Sequence, residues 1–455
     1  MADTIAAVAT GGGVSAIGII RISGDRAIDI AASVFRPKSG KSVPELPDRK
    51  LFLGDLTDRE GRIIDSCLIT VSRAPNTYTG EDTAEFQCHG SPTVLSEGLL
   101  SLFSAGARQA GPGEFTKRAF LNGRMDLTQA EAVADIIEAE TAEAAVNATG
   151  QLSGAVSRRT DKVYDALREL SAHFHAVIDY PDEDIDEFDM RSYLVVLEEA
   201  ENELDALLRT FSRGRIMKDG VLTAIIGRPN VGKSSLLNAL LGFDRAIVTD
   251  VPGTTRDVIE EKIRLGRVVL RLSDTAGLRQ TDDKVERLGV ERSEKTAKSA
   301  ELVIAVFDGS QPISEEDMRV TDILRNAPRG IAVINKSDLP PLFDKTAFSG
   351  RAARQVSAKT GDGLSGLCGE IEELFSEGSA AVPAGEILTN ARQAESVERA
   401  LSSVREAKNA AAEGVTPDAV LTVIEDAMSA LGEITGRTIR ADIAERIFER
   451  FCVGK

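Results

Sequence analysis

Apolar positions change their spacing several times along the chain, and each change marks a boundary. Across residues 1–122, strand-like runs at Ile17–Ser23, Asp65–Ser72 and Thr83–Gly90 alternate with a helical stretch, DRAIDIAASVF, at 25–35, the mixture of an α/β domain. From Asp126 the period lengthens. Thr128 with Glu131 reads as a capping box opening an Ala-rich helix that runs to about Gly150. Val163, Leu167, Leu170, Phe174 and Val177 recur at spacings of four and three and predict a second helix, and Leu194, Leu197, Leu204, Leu208 and Phe211 predict a third. The acidic run PDEDIDEFD at 181–189 lacks the DxDxDG spacing of a calcium loop and reads as a solvated turn.

From Val221 to about Phe375 strands and helices alternate again, and SEGSAAVPAGE at 376–386 reads as a linker. Helical stripes then return: Val397, Leu401 and Val404; Val420, Ile424, Met428 and Leu431 behind Thr416 as N-cap and Pro417; and Ile439, Ile443 and Ile447. Two helical blocks around a self-contained α/β block predict a domain inserted into a discontinuous helical one. The expected fold class is multidomain α/β plus all-α, divided at 1–122, 123–215, 216–379 and 380–455.

Composition narrows the function. At roughly 150 residues per domain, 455 residues allow two to four domains with sizeable cores. Lys and Arg number 54 against 72 Asp and Glu, and 54 − 72 = −18 excludes a stand-alone nucleic-acid coat protein. Cys67, Cys88, Cys368 and Cys452 contain no CxxC pair, so neither a disulfide framework nor a zinc knuckle is written in the spacing. His89, His173 and His175 are dispersed and read as surface or packing residues. No run reaches the ~18 consecutive apolar residues of a membrane span, and Asp3 stands where a secretory signal carries Lys or Arg. A cytoplasmic protein without a membrane partner is expected.

The central block carries the clearest chemistry. The strand VLTAII at 221–226 runs into GRPNVGKS and then a helix, the context a phosphate-binding P-loop requires. Its amides would face the phosphates, Lys233 would reach the β/γ oxygens, and Ser234 would offer its hydroxyl to Mg²⁺. DTAG at 274–277 follows a strand, which places Asp274 near the metal and Gly277 near the γ-phosphate. GTTRD at 253–257 supplies Thr255 as the remaining Mg²⁺ ligand. NKSD at 335–338 ends another strand, and SAK follows at 357–359. A carboxylate at Asp338 accepts both N1–H and the 2-amino group of guanine, which adenine does not offer. The nucleotide is therefore expected to be GTP, contacted by Asn230, Val231, Gly232, Lys233, Ser234 and Ser235; by Thr249, Asp250, Val251, Pro252, Gly253, Thr254 and Thr255; by Asp274, Thr275, Ala276 and Gly277; and by Asn335, Lys336, Asp338, Ser357, Ala358 and Lys359. Leu278 stands where Ras-like enzymes place a water-orienting Gln, so another group must act, and Glu286 is available nearby. Arg256 reads as a structural residue or as an arginine finger. Asn230 and Thr249 are oxygen-bearing groups beside the β/γ-phosphates, and a monovalent cation would add positive charge there.

Taken together, GRPNVGKSS, IVTDVPGTTRD, DTAGLR, VERLGVER, NKSD and FCVGK, with YTGEDTAEF, HGSP and PGEFTKRAFLNGRMDL, resemble the MnmE (TrmE) family of tRNA modification GTPases over nearly the whole chain. The resemblance implies an N-terminal α/β tetrahydrofolate-binding and dimerisation domain, a discontinuous helical domain and an inserted P-loop, Ras-like G domain. It implies a K⁺-gated homodimer. With an MnmG flavoprotein, in a heterotetramer or larger complex, it would add a carboxymethylaminomethyl-type or aminomethyl group to C5 of wobble uridine in tRNA. The one-carbon donor implied is 5,10-methylenetetrahydrofolate or 5-formyltetrahydrofolate.

By the same resemblance, Arg21, Glu85, Arg124 and Lys455 fall at folate positions. Asn230, Thr249, Val251 and Thr254 fall at K⁺ positions, Ser234 and Thr255 at Mg²⁺ positions, and Glu286 where the hydrolytic water is positioned. Arg124 stands where some relatives carry Lys, and Pro252 where Ala is usual. Read from the residues alone, Arg21 and Glu85 serve equally well as structural salt-bridge partners. Cys452 reads as a thiol nucleophile toward the uridine ring or as a packing cysteine. The alternative to the enzyme is an Era-like GTPase switch in ribosome or RNA assembly.

Overall fold

The period-2 alternation of the first segment is spent on one twisted sheet. The structure is a computed structural model describing residues 3–179, 190–243, 261–272, 297–342, 353–376, 382–439, 441–449 and 451–455. Strands β1 (Ile5–Val8), β2 (Ser15–Ser23), β3 (Phe35–Pro37), β4 (Phe52–Thr57), β5 (Ile63–Ser72), β6 (Thr83–Gly90) and β7 (Arg108–Gln109) lie in the order β3-β4-β5-β6-β2-β1-β7. Neighbours are antiparallel except β1 with β7. Ile20, Ile22, Ile69, Val71, Ala84 and Phe86 are buried in one core with Ile30 and Ala31 of the Ala27–Val34 helix and Leu95 and Leu102 of the Pro92–Ser104 helix. Each large apolar side chain removed from water there contributes about 1.5–3 kcal/mol. The intervening positions, Arg21 and Glu85 among them, fall on the other face of the sheet.

Compactness divides the chain into two units, one of residues 1–134, 151–204 and 396–455, the other of 135–150 and 205–395. In the first unit, the Ala155–Asp179 and Pro417–Thr435 helices pack against each other. Val163, Leu167, Leu170 and Phe174 are buried on one, and Val420, Ile424, Ala427 and Leu431 on the other, as the 3.6 period demands. Arg437 with Asp161 at 3.0 Å and His175 with Glu425 at 3.1 Å flank this pair. A separate cluster of Leu127, Ala130, Phe448 and Phe451 joins the Leu127–Glu138 and Ala441–Phe448 helices.

Three helix boundaries differ from the sequence expectation. The Ala-rich stretch is two helices, Leu127–Glu138 and Ala142–Leu152, because Thr141 Oγ1 accepts from Ala144 N at 3.1 Å and starts the second. The capping box is Asp126 with Gln129 rather than Thr128 with Glu131: Gln129 N donates to Asp126 Oδ1 and Asp126 N to Gln129 Oε1, both at 3.0 Å. Thr128 is buried inside the helix, within 2.8 Å of Ser157 Oγ. Phe211 likewise opens its own helix, Phe211–Asp219, and does not continue Met190–Arg209.

In the second unit, β8 (Val221–Ile226), β9 (Glu261–Leu265), β10 (Val268–Leu272), β11 (Leu302–Asp308), β12 (Gly330–Asn335) and β13 (Ala353–Gln355) form a sheet ordered β13-β12-β11-β8-β10-β9. It is parallel except for the β9–β10 hairpin, and β8, β10, β11 and β12 are near-continuous apolar runs, as strands covered on both faces require. The short helices Ala142–Leu152 and Phe211–Asp219 belong compactly with this sheet. Asn147 Nδ2 donates to Ile387 O at 3.1 Å and its Oδ1 accepts from Gly385 N at 2.9 Å, while Lys218 pairs with Asp135 at 2.7 Å. Among the described residues no helix is long and apolar enough to cross a membrane.

Candidate functional site

The expected nucleotide-binding residues gather where the parallel strands of the second sheet end, the usual place for a ligand in an open α/β sheet. β8 passes into the loop 227–232, and the Lys233–Phe243 helix follows. The loop needs left-handed backbone: Asn230 has φ 61° and Gly232 φ 96°. A Cβ on Gly232 would lie 2.2 Å from Asn335 Nδ2, so glycine is required there for space as well as for φ. Lys233 Nζ donates to the Gly227 and Arg228 carbonyls at 2.8 Å, which holds the ammonium at the loop. Ser234 and Ser235 follow in the first helical turn and are exposed. Amides of a loop and a helix N-terminus converge here, an arrangement that favours an anion.

Asn335, at the end of β12, is the hub. Its Nδ2 donates to Val231 O at 2.9 Å and its Oδ1 accepts from Ala358 N at 3.0 Å, binding the P-loop to the SAK turn. Lys336, itself at φ 65°, donates to Asn230 O at 3.0 Å and to Asp308 Oδ2 at 2.7 Å. Burial pushes the Asp308 carboxyl up, but Lys336 and Ser310 outweigh it and hold the group below the usual carboxylate range. Asp338 is exposed and accepts from Ser357 Oγ at 2.7 Å, a bond that keeps its carboxyl below the ordinary value. An ionised acceptor is thus fixed beside Ser357 and Ala358, with Lys359 next in the chain, as guanine recognition needs. Asp308 was not singled out from the sequence, because it ends a strand, LVIAVFD, that carries no motif.

The structure therefore joins Asn230, Val231, Gly232, Lys233, Asn335, Lys336, Asp338, Ser357 and Ala358 in one hydrogen-bonded and closely packed frame. Thr249, Asp250, Val251, Pro252, Gly253, Thr254, Thr255, Asp274, Thr275, Ala276, Gly277 and Glu286 lie outside the described residues. Ser234 is the described member of the expected Mg²⁺ pair, and Asn230 of the expected K⁺ set.

A second group of expected residues meets in the first unit. Arg21 on β2 stands directly across from Glu85 on β6, and its Nε donates to Glu85 Oε1 at 2.7 Å. Its guanidinium lies 5.6 Å from the Phe115 ring centroid and 5.9 Å from that of Tyr78. Its Nη1 donates to Gly454 O at 3.4 Å. Residues 452–455 run along the start of the Glu114–Leu121 helix: Gly113 N donates to Cys452 O at 3.2 Å and Phe115 N to Lys455 O at 3.1 Å. Gly454, at φ 97°, lets this segment pass so close to β1 that a Cβ would be 2.3 Å from Val8 O. Arg124 Nε donates to Thr77 O at 3.0 Å, on the loop that carries Tyr78. Burial raises the Tyr78 phenol, whose Oη is 2.9 Å from Thr116 Oγ1. Tyr78 and Phe115, flanking Arg21, were missed in the sequence, although both sit within phrases, YTGEDTAEF and PGEFTKRAF, that were singled out there. Cys452 is exposed.

Glu114 opens the same helix. Burial pushes its carboxyl up, but bonds from Arg108, Gly111 N and Arg118 bring it down to about 2.

Two family models match this chain: that of the GTP-binding protein TrmE N-terminus over residues 4–124 and that of the MnmE helical domain over 127–452. The tRNA modification GTPase MnmE of Alkaliphilus oremlandii is 41% identical over 100% of this chain and 99% of its own. That of Heliobacterium modesticaldum is 43% identical with the same coverage. Among solved structures, the G domain of the T. maritima FeoB iron transporter aligns with 26% identity over 34% of this chain and 97% of its own, at a TM-score of 0.24.

Proposed function

The chain belongs to the MnmE family, and from that premise we propose that it is a K⁺-dependent GTPase of tRNA modification. The observation that carries the nucleotide half is the Asn335 strap, which sets the P-loop and the Asp338–Ser357 pair in one frame. In this reading Mg²⁺ is held by Ser234 and Thr255, K⁺ by Asn230, Thr249, Val251 and Thr254, and Glu286 positions the attacking water. The ions supply charge opposite the phosphates. Lys233 adds a point charge, and Asp338 selects guanine.

The modification half rests on the family and on Arg21. Arg21, Glu85, Arg124 and Lys455 would bind 5,10-methylenetetrahydrofolate or 5-formyltetrahydrofolate, since a guanidinium between two aromatic rings suits a flat, anionic cofactor. With an MnmG flavoprotein, a homodimer of this protein would install a carboxymethylaminomethyl-type or aminomethyl group at C5 of wobble uridine, in the cytoplasm. The domains in this scheme are 1–122 for folate and dimerisation, 123–215 with 380–455 for the helical body, and 216–379 for GTP. Cys452, exposed two residues before Gly454, whose carbonyl accepts from the Arg21 guanidinium, would serve as the thiol toward the uridine ring.

Nucleoside analysis of tRNA from cells lacking the protein tests the whole: wobble uridine should be unmodified at C5, and full modification would overturn the proposal. GTP turnover in KCl should exceed that in NaCl by at least about tenfold, the effect of one missing charge near the phosphates; equal rates would remove the cation from the mechanism.

A further inference from the structure

We propose that Asp65, Cys67 and Cys88 form a site for one soft or borderline divalent cation, zinc above all, within the sheet of the first unit. Asp65 and Cys67 are two apart on β5 and so share a face. The pairing of Leu68 with Gln87 leaves Cys67 and Cys88 as the next cross-strand neighbours. Their sulfurs are 3.7 Å apart. Two zinc–sulfur bonds of about 2.3 Å at a tetrahedral angle place the sulfurs ~3.8 Å apart, so the thiols already span the edge such an ion needs. Among the described residues, this is the one group of three His, Cys, Asp or Glu side chains whose ligand atoms all lie within 4.8 Å of one another.

The surroundings favour a cation over simple packing. Cys67 and Cys88 are 4% and 2% exposed, ordinary for core cysteines, but core thiols need no carboxylate beside them. The Asp65 side chain is 8% exposed, and among the described residues it has no Lys or Arg partner. Instead His89 holds it from two sides: the His89 amide donates to Asp65 Oδ2 at 2.8 Å and Nδ1 lies 2.7 Å from Oδ1. Carboxylates that ligate metals are themselves held by hydrogen bonds, and His89 would hold Asp65 in that way. The His89 ring is largely exposed, so an ion enters from its side, and a water completes four-coordination.

Binding exchanges two thiol protons for the metal. Zn²⁺ plus two Cys–SH and one Asp carboxylate gives a dithiolate–carboxylate complex and two H⁺, and the net charge of the site stays at −1. Thiolate donors select zinc or cadmium over the hard ions Mg²⁺ and Ca²⁺. The pattern DxC followed by CH escapes a search for CxxC because the two halves lie on different strands.

The test uses the full chain with Cys368→Ser and Cys452→Ser, so that only this thiol pair reports, reduced and freed of metal by chelation. Cadmium titration should produce a thiolate-to-cadmium ultraviolet band that saturates at one ion per chain, with two protons released per ion. Cys67→Ser and Cys88→Ser should each weaken binding at least tenfold and roughly halve the band. Asp65→Asn should weaken binding while keeping the full band at saturation. X-ray absorption of the zinc-loaded protein with the pair intact, which does not depend on those variants folding, should give two sulfur and two lighter ligands. Absence of the band with both thiols reduced, an unchanged band in Cys67→Ser, a Cys67–Cys88 disulfide whose reduction restores no metal uptake, or a zinc shell without sulfur would each overturn the proposal.

Discussion

At the scale of single residues, the nucleotide site depends on one amide and one carboxylate. Asn335 binds Val231 O and Ala358 N and so fixes the spacing between the P-loop and the SAK turn. In the proposed reading Asp338 does the selecting. Asp338→Asn keeps the shape but replaces one acceptor by a donor, which mismatches the guanine 2-amino group and matches a 2-oxo group. GTP affinity should fall by about 2–3 kcal/mol, on the order of a hundredfold, while xanthosine triphosphate binding rises. Competition binding with both nucleotides checks this, and an unchanged preference for GTP would refute Asp338 as the base reader.

At the scale of elements, the 452–455 segment and the Glu114–Leu121 helix support each other. Gly454→Ala would force a Cβ to within 2.3 Å of Val8 O at a backbone angle that L side chains rarely adopt. Amide exchange at Phe115 should quicken, and 5-formyltetrahydrofolate affinity measured by calorimetry should drop at least tenfold; unaltered exchange would show the segment is not a structural prop. Glu114 adds a pH dependence. Its folded pKa, about 2, lies below the ordinary carboxylate value, so its contribution is complete above about 4.5 and is lost as pH falls from there toward 2. The difference is at most about 3 kcal/mol. Urea unfolding across that range should be less pH-dependent in Glu114→Gln, and parallel curves would show the ion pairs contribute nothing.

Legibility in the sequence also varied by element. β2, β5 and β6 could be read because they are long enough to show a period, β8 and β12 because they are continuous apolar runs, and the P-loop and NKxD because their residues are contiguous and anchored by backbone. β7 is two residues long and β13 three, too short for any pattern. Asp126–Gln129 and Thr128–Glu131 have the same spacing, and only the burial of Thr128 against Ser157 decides between them. Arg21 and Glu85 could be named but not joined, since strand register is not written in either strand alone.

At the scale of the whole molecule, the described members of the two candidate sites fall each within one compact unit: Arg21, Glu85, Gly454 and Lys455 in the first, Lys233, Asn335 and Asp338 in the second. Loss of one should leave the other's ground-state binding intact. Lys233→Ala should abolish GTP turnover yet bind 5-formyltetrahydrofolate like the unaltered chain, and Arg21→Ala should do the reverse. Calorimetry on both variants decides, and a shared defect would mean the ligands are energetically coupled even at rest.

The hydrogen bond from Arg21 to Gly454 closes a loop of 433 positions. A ribosome must therefore add 433 further residues after Arg21 before that side chain meets the Gly454 carbonyl. Early sheet formation and late completion of the pocket are separated in time, so a prematurely released product would carry a folded amino-terminal sheet with an unfinished wall, and quality control that probes only the sheet would pass it.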